Sequence, residues 1–475
     1  MTQDLHSQNL ENFLKKKKLN DHWRNWVRTN VKAGCDKNGM FKIMFDEGFD
    51  YDLIKDALNF EPVIPVDQII NPLKRRKVEH NEKSPFPFIP NARRMDHDEI
   101  EIYVLDDFLS KMECEALIIN IKTALKPSIL MTNDETGAGN NKRKSCDLGL
   151  VGNNVVRDLD RRICSMLGLS ATHSDSMQGQ HYIIGQECKD QSDFLKENEL
   201  EEDEGDLGQR SYSFFIFLND VEEGGEISFP KIGRSISPKM GRAVIWNNLH
   251  MDGTVNEHSI YHDGLVKKGN KTVIKKCFRT QNGLPVFKRL EKENVPNYTK
   301  IGFEKDTLPK PLFNKIVNFY RENFQHQVKE TVAEKFIKNE EPNVTKSSLI
   351  QLPNSIQKEI QDCLKPVLEI WSGLKLEPTF VYGIRVYHNG TALKVHRDRN
   401  GTHIIGVIIN VDQELNEAWP LRIEDNYYRQ HDVLLEPGEV IYYEAVRLAH
   451  GRPIPFNGEL FANIFCHFKI SETRK

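Results

Sequence analysis

The chain has 475 residues, 28% of them charged, and a formal net charge of −4. That length exceeds one hydrophobic core and calls for two or three domains. Balanced charge excludes binding to nucleic acid through a broadly basic surface, and no apolar run is long enough to span a membrane. The first residues, Met1 to Ser7, lack the apolar core of a signal peptide. Eight cysteines, at 35, 114, 146, 164, 188, 277, 363 and 466, show no paired spacing. This excludes a disulfide scaffold or a zinc module and predicts a reducing compartment, cytoplasmic or nuclear.

Residues 11–60 read as a small helical unit for packing or docking. Trp23, Trp26, Val27 and Val31 fall at helical spacing, and Gly34 offers a stop. A second helical stretch, Met40 to Leu58, is broken by a turn at Gly48-Phe49. Residues 61–93 form a linker with six prolines. The basic run Pro72 to Val78 has the composition of a nuclear import signal or of a solvated tether, and Lys15 to Lys18 is a second basic cluster.

A folded domain is predicted over 95–288 and another over 297–470. In the first, Ser110 to Glu113 is a capping-box pattern that opens a helix through Leu125, and a second helix lies near Asn154 to Leu167. Strands are predicted at 100–105, 180–185, 211–218, 226–229, 243–247 and 272–279. The second domain opens with a helix over Leu312 to Lys338 and another capped by Asn354. Strands at 379–387, 403–411, 421–424, 432–435, 440–443 and 461–468 complete it. The class is therefore α+β, each half a sandwich or barrel of short strands buttressed by helices.

Within these strands one pattern occurs twice. Tyr387-x2-Gly390-x5-His396-x-Asp398 matches Tyr182-x2-Gly185-x5-Gln191-x-Asp193 position for position, with glutamine in place of histidine. The copies lie 205 residues apart, as an internal duplication would place them. Alternation along a strand sends His396 and Asp398 to one face. With His450, 52 residues past Asp398, they make a two-histidine, one-carboxylate set that leaves three positions open on a ferrous ion. The first copy offers Gln191, Asp193 and His262. An amide oxygen is a weak neutral ligand beside imidazole, so metal affinity there should fall, and histidine at 191 should restore it.

The first domain resembles the prolyl 4-hydroxylase family of 2-oxoglutarate- and Fe(II)-dependent oxygenases. The likeness rests on Asp107-Phe-Leu-Ser110, Arg143-Lys-Ser145, Tyr182-x2-Gly185-Gln186, Phe217 to Glu226, Phe229-Pro230, Pro238-Lys239-x-Gly241, His262-x-Gly264 and Gly269-x-Lys271. It implies a double-stranded β-helix (jelly roll) in which Lys271, supported by Tyr182, holds the far carboxylate of 2-oxoglutarate. Cys277 departs from the family, which has tryptophan there. The second domain resembles a more distant member of the superfamily, through Tyr382-Gly-Ile-Arg385-x-Tyr387, His396-x-Asp398-Arg399, Trp419-Pro-Leu421, Pro437-Gly438, Tyr443-Glu444 and His450-Gly-Arg452.

The architecture implied is thus two tandem double-stranded β-helix domains, the first degenerate. Catalytic and metal-binding roles fall on His396, Asp398 and His450. The slot matching Lys271 falls near Glu459-Leu460, so Arg452 or Arg385, with Tyr387, is expected to meet the cosubstrate. The cofactor set implied is Fe(II), 2-oxoglutarate and O2, with ascorbate as an accessory. A protein substrate, plausibly prolyl, is expected ahead of a small molecule or free amino acid, with no membrane or nucleic-acid partner. The contrasting reading is a non-catalytic peptide-binding double barrel. The acidic run Glu197 to Asp206 reads as a solvated loop or as a weak site for basic peptides.

Overall fold

The computed structural model describes residues 19–32, 37–62, 66, 88–127, 144–149, 153–196, 208–250, 253–280, 295–330, 336–339 and 346–471. Both basic clusters, Gly34, Arg143 and the acidic run lie outside the described residues. The chain divides into two compact units, Lys83–Val295 with Tyr427–Arg429, and Met1–Glu82 with Pro296–Asn426 and Gln430–Lys475. No helix among the described residues is long and apolar enough to cross a membrane.

The N-terminal helices are α1 (Asp21–Lys32), α2 (Lys37–Asp46) and α3 (Tyr51–Leu58). Asp50 starts α3 by accepting a hydrogen bond from the Asp52 amide. Met40, Phe41, Met44, Ile54 and Leu58 form a core of their own, against which Trp23 packs.

In the unit 83–295, α4 (Lys111–Ala124) begins with the predicted capping box of Ser110 and Glu113. Helix α5 (Asn154–Leu167) is capped by Asn153. The larger sheet runs β1 (Arg93–Arg94), β2 (Ile102–Leu105), β11 (Ala243–Asn247), β7 (Arg210–Phe217), β14 (Lys271–Arg279), β5 (Met177–Tyr182), β4 (Lys144–Leu148), β3 (Lys126–Pro127). The smaller runs β10 (Arg234–Ile236), β9 (Ile227–Phe229), β12 (Tyr261–Asp263), β6 (Cys188–Gln191), with a β13 (Val266–Lys268) and β8 (Glu223–Gly224) pair beside them. Strand β7 is apolar on both faces because both are covered. Phe214 and Ile216 join the core with Leu117, Ile121, Leu159 and Ile163 of the helices. Phe215 and Phe217 instead join the core with Ile227, Phe229 and Tyr261 of the smaller sheet. Burying each of these phenylalanines is worth roughly 1.5–3 kcal/mol.

In the other unit the larger sheet runs β15 (Phe303–Thr307), β24 (Glu439–Glu444), β21 (Ile405–Leu415), β26 (Gly458–Ile470), β19 (Leu376–Tyr387), β18 (Ser347–Ile350), β16 (Val328–Lys329). The smaller runs β17 (Ile337–Asn339), β20 (Thr391–His396), β25 (His450–Arg452), β22 (Leu421–Glu424), β23 (Gln430–Val433). The order β2-β11-β7-β14-β5-β4 in the first unit recurs as β15-β24-β21-β26-β19-β18, and β6-β12-β9-β10 recurs as β20-β25-β22-β23. The glycine three residues after the repeated tyrosine keeps a left-handed turn in both, with φ of 84° at Gly185 and 77° at Gly390.

The stretch 297–380 departs from its helical expectation. Helix α6 (Lys310–Asn323) stops fifteen residues short of Lys338, because the chain turns at Phe324–His326 and then enters β16 and β17. The apolar stripe ends at Phe324, and the next described elements, β16 and β17, are strands. In α7 (Asn354–Ser372) the cap is Pro353, with Asn354 the first helical residue.

Gly451 sits in β25 between two inward-facing residues, where the β20 backbone approaches closely. A Cβ there would lie 2.8 Å from the Val395 amide nitrogen and 2.9 Å from the Leu393 carbonyl oxygen. Backbone cannot step aside as a side chain can. We predict that Gly451→Ala destabilises the protein by about 1–3 kcal/mol in chemical denaturation, and an unchanged midpoint would contradict this packing.

Candidate metal centre

His396 ends β20, and Asp398 lies just beyond it on the same side. Across the strand pair, His450 of β25 stands directly opposite His396. The ligand atoms of His396, Asp398 and His450 all lie within 4.8 Å of one another. His396 Nε2 is 3.5 Å from Asp398 Oδ1, and His450 Nε2 is 3.9 Å from Asp398 Oδ2. On the far side of each ring a carbonyl accepts from Nδ1: Lys394 O at 2.7 Å for His396 and Leu448 O at 3.0 Å for His450. Those bonds fix the tautomer and leave both Nε2 lone pairs facing the shared point. Asp398 Oδ2 is buried without a hydrogen bond. Two imidazoles and a carboxylate in this arrangement suit a ferrous ion with open positions.

Burial sets the electrostatics. It pushes His450 down to about 4, so that ring stays neutral. Burial opposes protonation of His396 as well, but the Asp398 carboxylate and the Lys394 carbonyl outweigh it and hold His396 above its ordinary value. Asp398 is held far below the usual carboxylate range: burial opposes ionisation, and the imidazoles of His396 and His467 beside it override that. His467, which sequence reading missed, has Nε2 3.4 Å from Asp398 Oδ2 and stacks on His403 with ring centroids 4.0 Å apart. Its signal was hidden in β26, where a lone histidine among mostly apolar residues carries no motif.

The centre opens into a cavity of about 600 Å³. Arg385 lines it but is committed to Glu330, with Nε and Nη2 donating at 2.7 and 2.6 Å. Arg452 differs. It projects from the same face of β25 as His450, only 2% exposed, between the rings of Trp419 and Phe461 at 4.8 and 4.5 Å. One nitrogen donates to the Trp419 carbonyl, while Nη2 is buried without a partner. Burial lowers its pKa to about 10. The neighbouring Tyr387 is fully buried and stacks edge-on against Trp419. Register also corrects the position equivalent to Lys271: Lys271 pairs with Tyr182 and Phe461 with Tyr387, so the slot is Phe461 rather than Glu459-Leu460.

The unit 83–295 does not assemble the corresponding set. Tyr261, not His262, stands opposite Gln191, so the neighbouring His262 turns to the other face. There its Nε2 meets Asp190 at 2.9 Å, far from the role the sequence suggested. Asp193 is engaged by the Lys275 ammonium, by Ser213 Oγ at 2.5 Å and by Tyr261 OH at 3.3 Å. The expected cosubstrate contacts are engaged too. Lys271 Nζ donates to Asp263 Oδ1 at 3.1 Å and Tyr182 OH to Asp263 Oδ2 at 2.7 Å, with the Lys271 and Asp263 side chains fully buried. Asp263 stands opposite Cys188 as Arg452 stands opposite Leu393. An internal carboxylate therefore occupies the anion seat that Lys271 and Tyr182 would offer to 2-oxoglutarate.

The profile of the 2OG-Fe(II) oxygenase superfamily matches residues 160–279. That stretch is similar to the superfamily, on its prolyl 4-hydroxylase-like side. The chain is 29% identical over 196 residues to probable prolyl 4-hydroxylase 3 of Arabidopsis thaliana, covering 36% of this chain and 67% of the relative. To the human prolyl 4-hydroxylase subunit alpha-1 it is 26% identical over 258 residues, covering 52% of this chain and only 48% of the relative. Among solved structures, the viral collagen prolyl hydroxylase of Paramecium Bursaria Chlorella virus-1 is similar at 19% identity and a TM-score of 0.30, over 38% of this chain and 95% of that one. The family's cofactor set is Fe(II), 2-oxoglutarate and O2. The matched residues 160–279 lie in the first barrel, whereas the converging ligands lie in the second.

These geometries make two outcomes testable. Gln191→His alone should leave metal stoichiometry unchanged, because Lys275 still holds Asp193 and Tyr261 still fills the place opposite; a second bound equivalent of Mn(II) would overturn this. In the second barrel a proton and a metal compete for His396 Nε2. Metal affinity should therefore rise with pH through the raised His396 titration, while His450 is already neutral. A Mn(II) affinity that stays flat from about pH 6 to 8.5 would contradict that assignment.

Proposed function

We propose that the chain is a 2-oxoglutarate- and Fe(II)-dependent dioxygenase that hydroxylates a protein substrate in its C-terminal barrel. Two double-stranded β-helix domains, 95–288 and 297–470, would descend from one duplicated unit, and the first would persist as a non-catalytic copy. The observation that carries the reading is the convergence of His396, Asp398 and His450 on one point. A second supports it: Arg452 is a buried cation with an unpartnered nitrogen, on the same strand face as a metal ligand. In its present form that arrangement is incomplete and calls for an anion.

His396, Asp398 and His450 would hold the metal, and Arg452 would receive the far carboxylate of 2-oxoglutarate. Arg385 is the weaker choice because Glu330 already saturates two of its donors. When bound, the iron and its cosubstrate supply oxidative decarboxylation coupled to hydroxylation of an unactivated C–H bond. The protein's part is ligation, orientation and exclusion of water: Leu393, Ile408, Tyr443 and Phe465 wall the cavity with apolar surface. Relatives named as prolyl 4-hydroxylases make a prolyl peptide the first substrate to try. The described cysteines are all free thiols, in keeping with a reducing compartment, cytoplasm or nucleus.

The test is Fe(II)-dependent succinate formation with a panel of prolyl peptides and small molecules. His396→Ala should abolish it. Arg452→Met should weaken 2-oxoglutarate binding roughly 30-fold or more, read by calorimetry on Mn(II)-loaded protein. Arg385→Met should do so far less. Turnover that survives His396→Ala would remove catalysis from this barrel, and absence of turnover with every substrate would favour a binding protein.

A further inference from the structure

The mouth of the second-barrel cavity has two chemically distinct walls. On one side Phe380 and Tyr382 of β19 line it, with ring centroids 5.4 Å apart and Phe380 46% exposed. On the other, Arg397 and Arg399 flank Asp398 in sequence, and both line the cavity. Arg399 is exposed, and its side chain forms no hydrogen bond or ion pair among the described residues. A backbone bond from His403 to the Arg399 carbonyl, 3.2 Å, folds this loop so that Thr402 and His403 complete the same wall.

Charge decides what such a mouth would admit. Among the described lining residues the sole carboxylate is Asp398, which is committed to the ligand set. Glu330 balances Arg385. A divalent metal would be balanced by Asp398 and the near carboxylate of the cosubstrate, and Arg452 by the far one. Arg399 is needed for none of this and stands at the entrance beside an aromatic wall.

We propose that the second barrel selects acidic peptide segments, with Arg399 pairing an aspartate or glutamate side chain that flanks the modified residue and Phe380 with Tyr382 packing on the peptide's apolar part. This rests on the reading of the second barrel as the substrate-binding one. An arginine at a rim steers charged partners and discriminates among them more than it adds affinity, and its effect is screened by salt. The aromatic wall supplies sequence-tolerant area at low entropic cost.

The experiment measures binding, apart from turnover. Fluorescein-labelled heptapeptides with proline between two glutamates, two glutamines or two lysines are titrated with full-length protein loaded with Mn(II) and 2-oxoglutarate. The glutamate peptide should bind about tenfold tighter than the glutamine peptide at low salt, with the lysine peptide weakest. Arg399→Glu should reverse that order, and Arg399→Lys should keep it. Equal binding of all three peptides, binding of none, or a glutamate preference that survives Arg399→Glu would overturn the proposal. Binding of the acidic peptide with no Fe(II)-dependent succinate formation across the whole substrate panel would leave this site standing and remove the dioxygenase reading; Fe(II)-dependent turnover with no charge preference would do the reverse.

Discussion

The pairing of β20 with β25 is the constraint on which the candidate centre depends. Antiparallel register puts His396 and His450 directly opposite one another, with ring centroids 4.6 Å apart. The period of a strand then sends Arg452, two residues on, to the same interior face. One register therefore sets two distances at once: between the metal-facing imidazoles, and between that point and the buried guanidinium. Gly451 permits it, since any side chain there would collide with the β20 backbone. A shift by one residue would turn His450 and Arg452 outward together.

The first barrel shows the alternative. Its β6 and β12 pair with Tyr261 inward and His262 outward, and each charged group of the would-be site is satisfied from within the chain. The Lys275 ammonium stands beside Asp193, where a cation would otherwise be required. Asp263 lies between Lys271 and Tyr182, where a carboxylate ligand would otherwise be required. The second barrel has Phe465 and Arg452 at the corresponding positions by register. The two interiors thus solve one problem in opposite ways: charges paired within the protein in one, and charges left for a ligand in the other. Breaking a buried pair by removing one partner costs more than the pair contributes, so the closed interior resists piecemeal reopening.

Much of this was legible in the amino-acid order alone. The repeated Tyr-Gly-His/Gln-Asp spacing located β6 and β20, and the alternation rule brought His396 to Asp398. The capping box at Ser110 placed α4, and the glycine after each repeated tyrosine marked the turn. What could not be read were partners across strands. Asp263, Lys275 and Tyr261 carry no motif; their roles appear only when β12 and β14 are set against β6, β5 and β7. His262 misled because linear spacing cannot report a one-residue register difference. Helix α6 was overextended because, although its apolar stripe ends at Phe324, no Gly or Pro marks a stop before Pro342.

The profile match and the converging candidate ligands therefore fall on different halves of this chain. The superfamily profile is matched by residues 160–279, where the interior charges close on themselves. Such a profile weighs many scaffold positions against a few ligands, so a barrel can keep its likeness after losing its site. The second half, outside that match, places three candidate ligand side chains within one ion's reach. Selection on a metal centre acts through a handful of distances, whereas selection on a fold acts through many weak packing contacts that substitute for one another. A matched half whose charged interior is filled, beside an unmatched half whose candidate ligands converge, is what those two pressures produce when they separate.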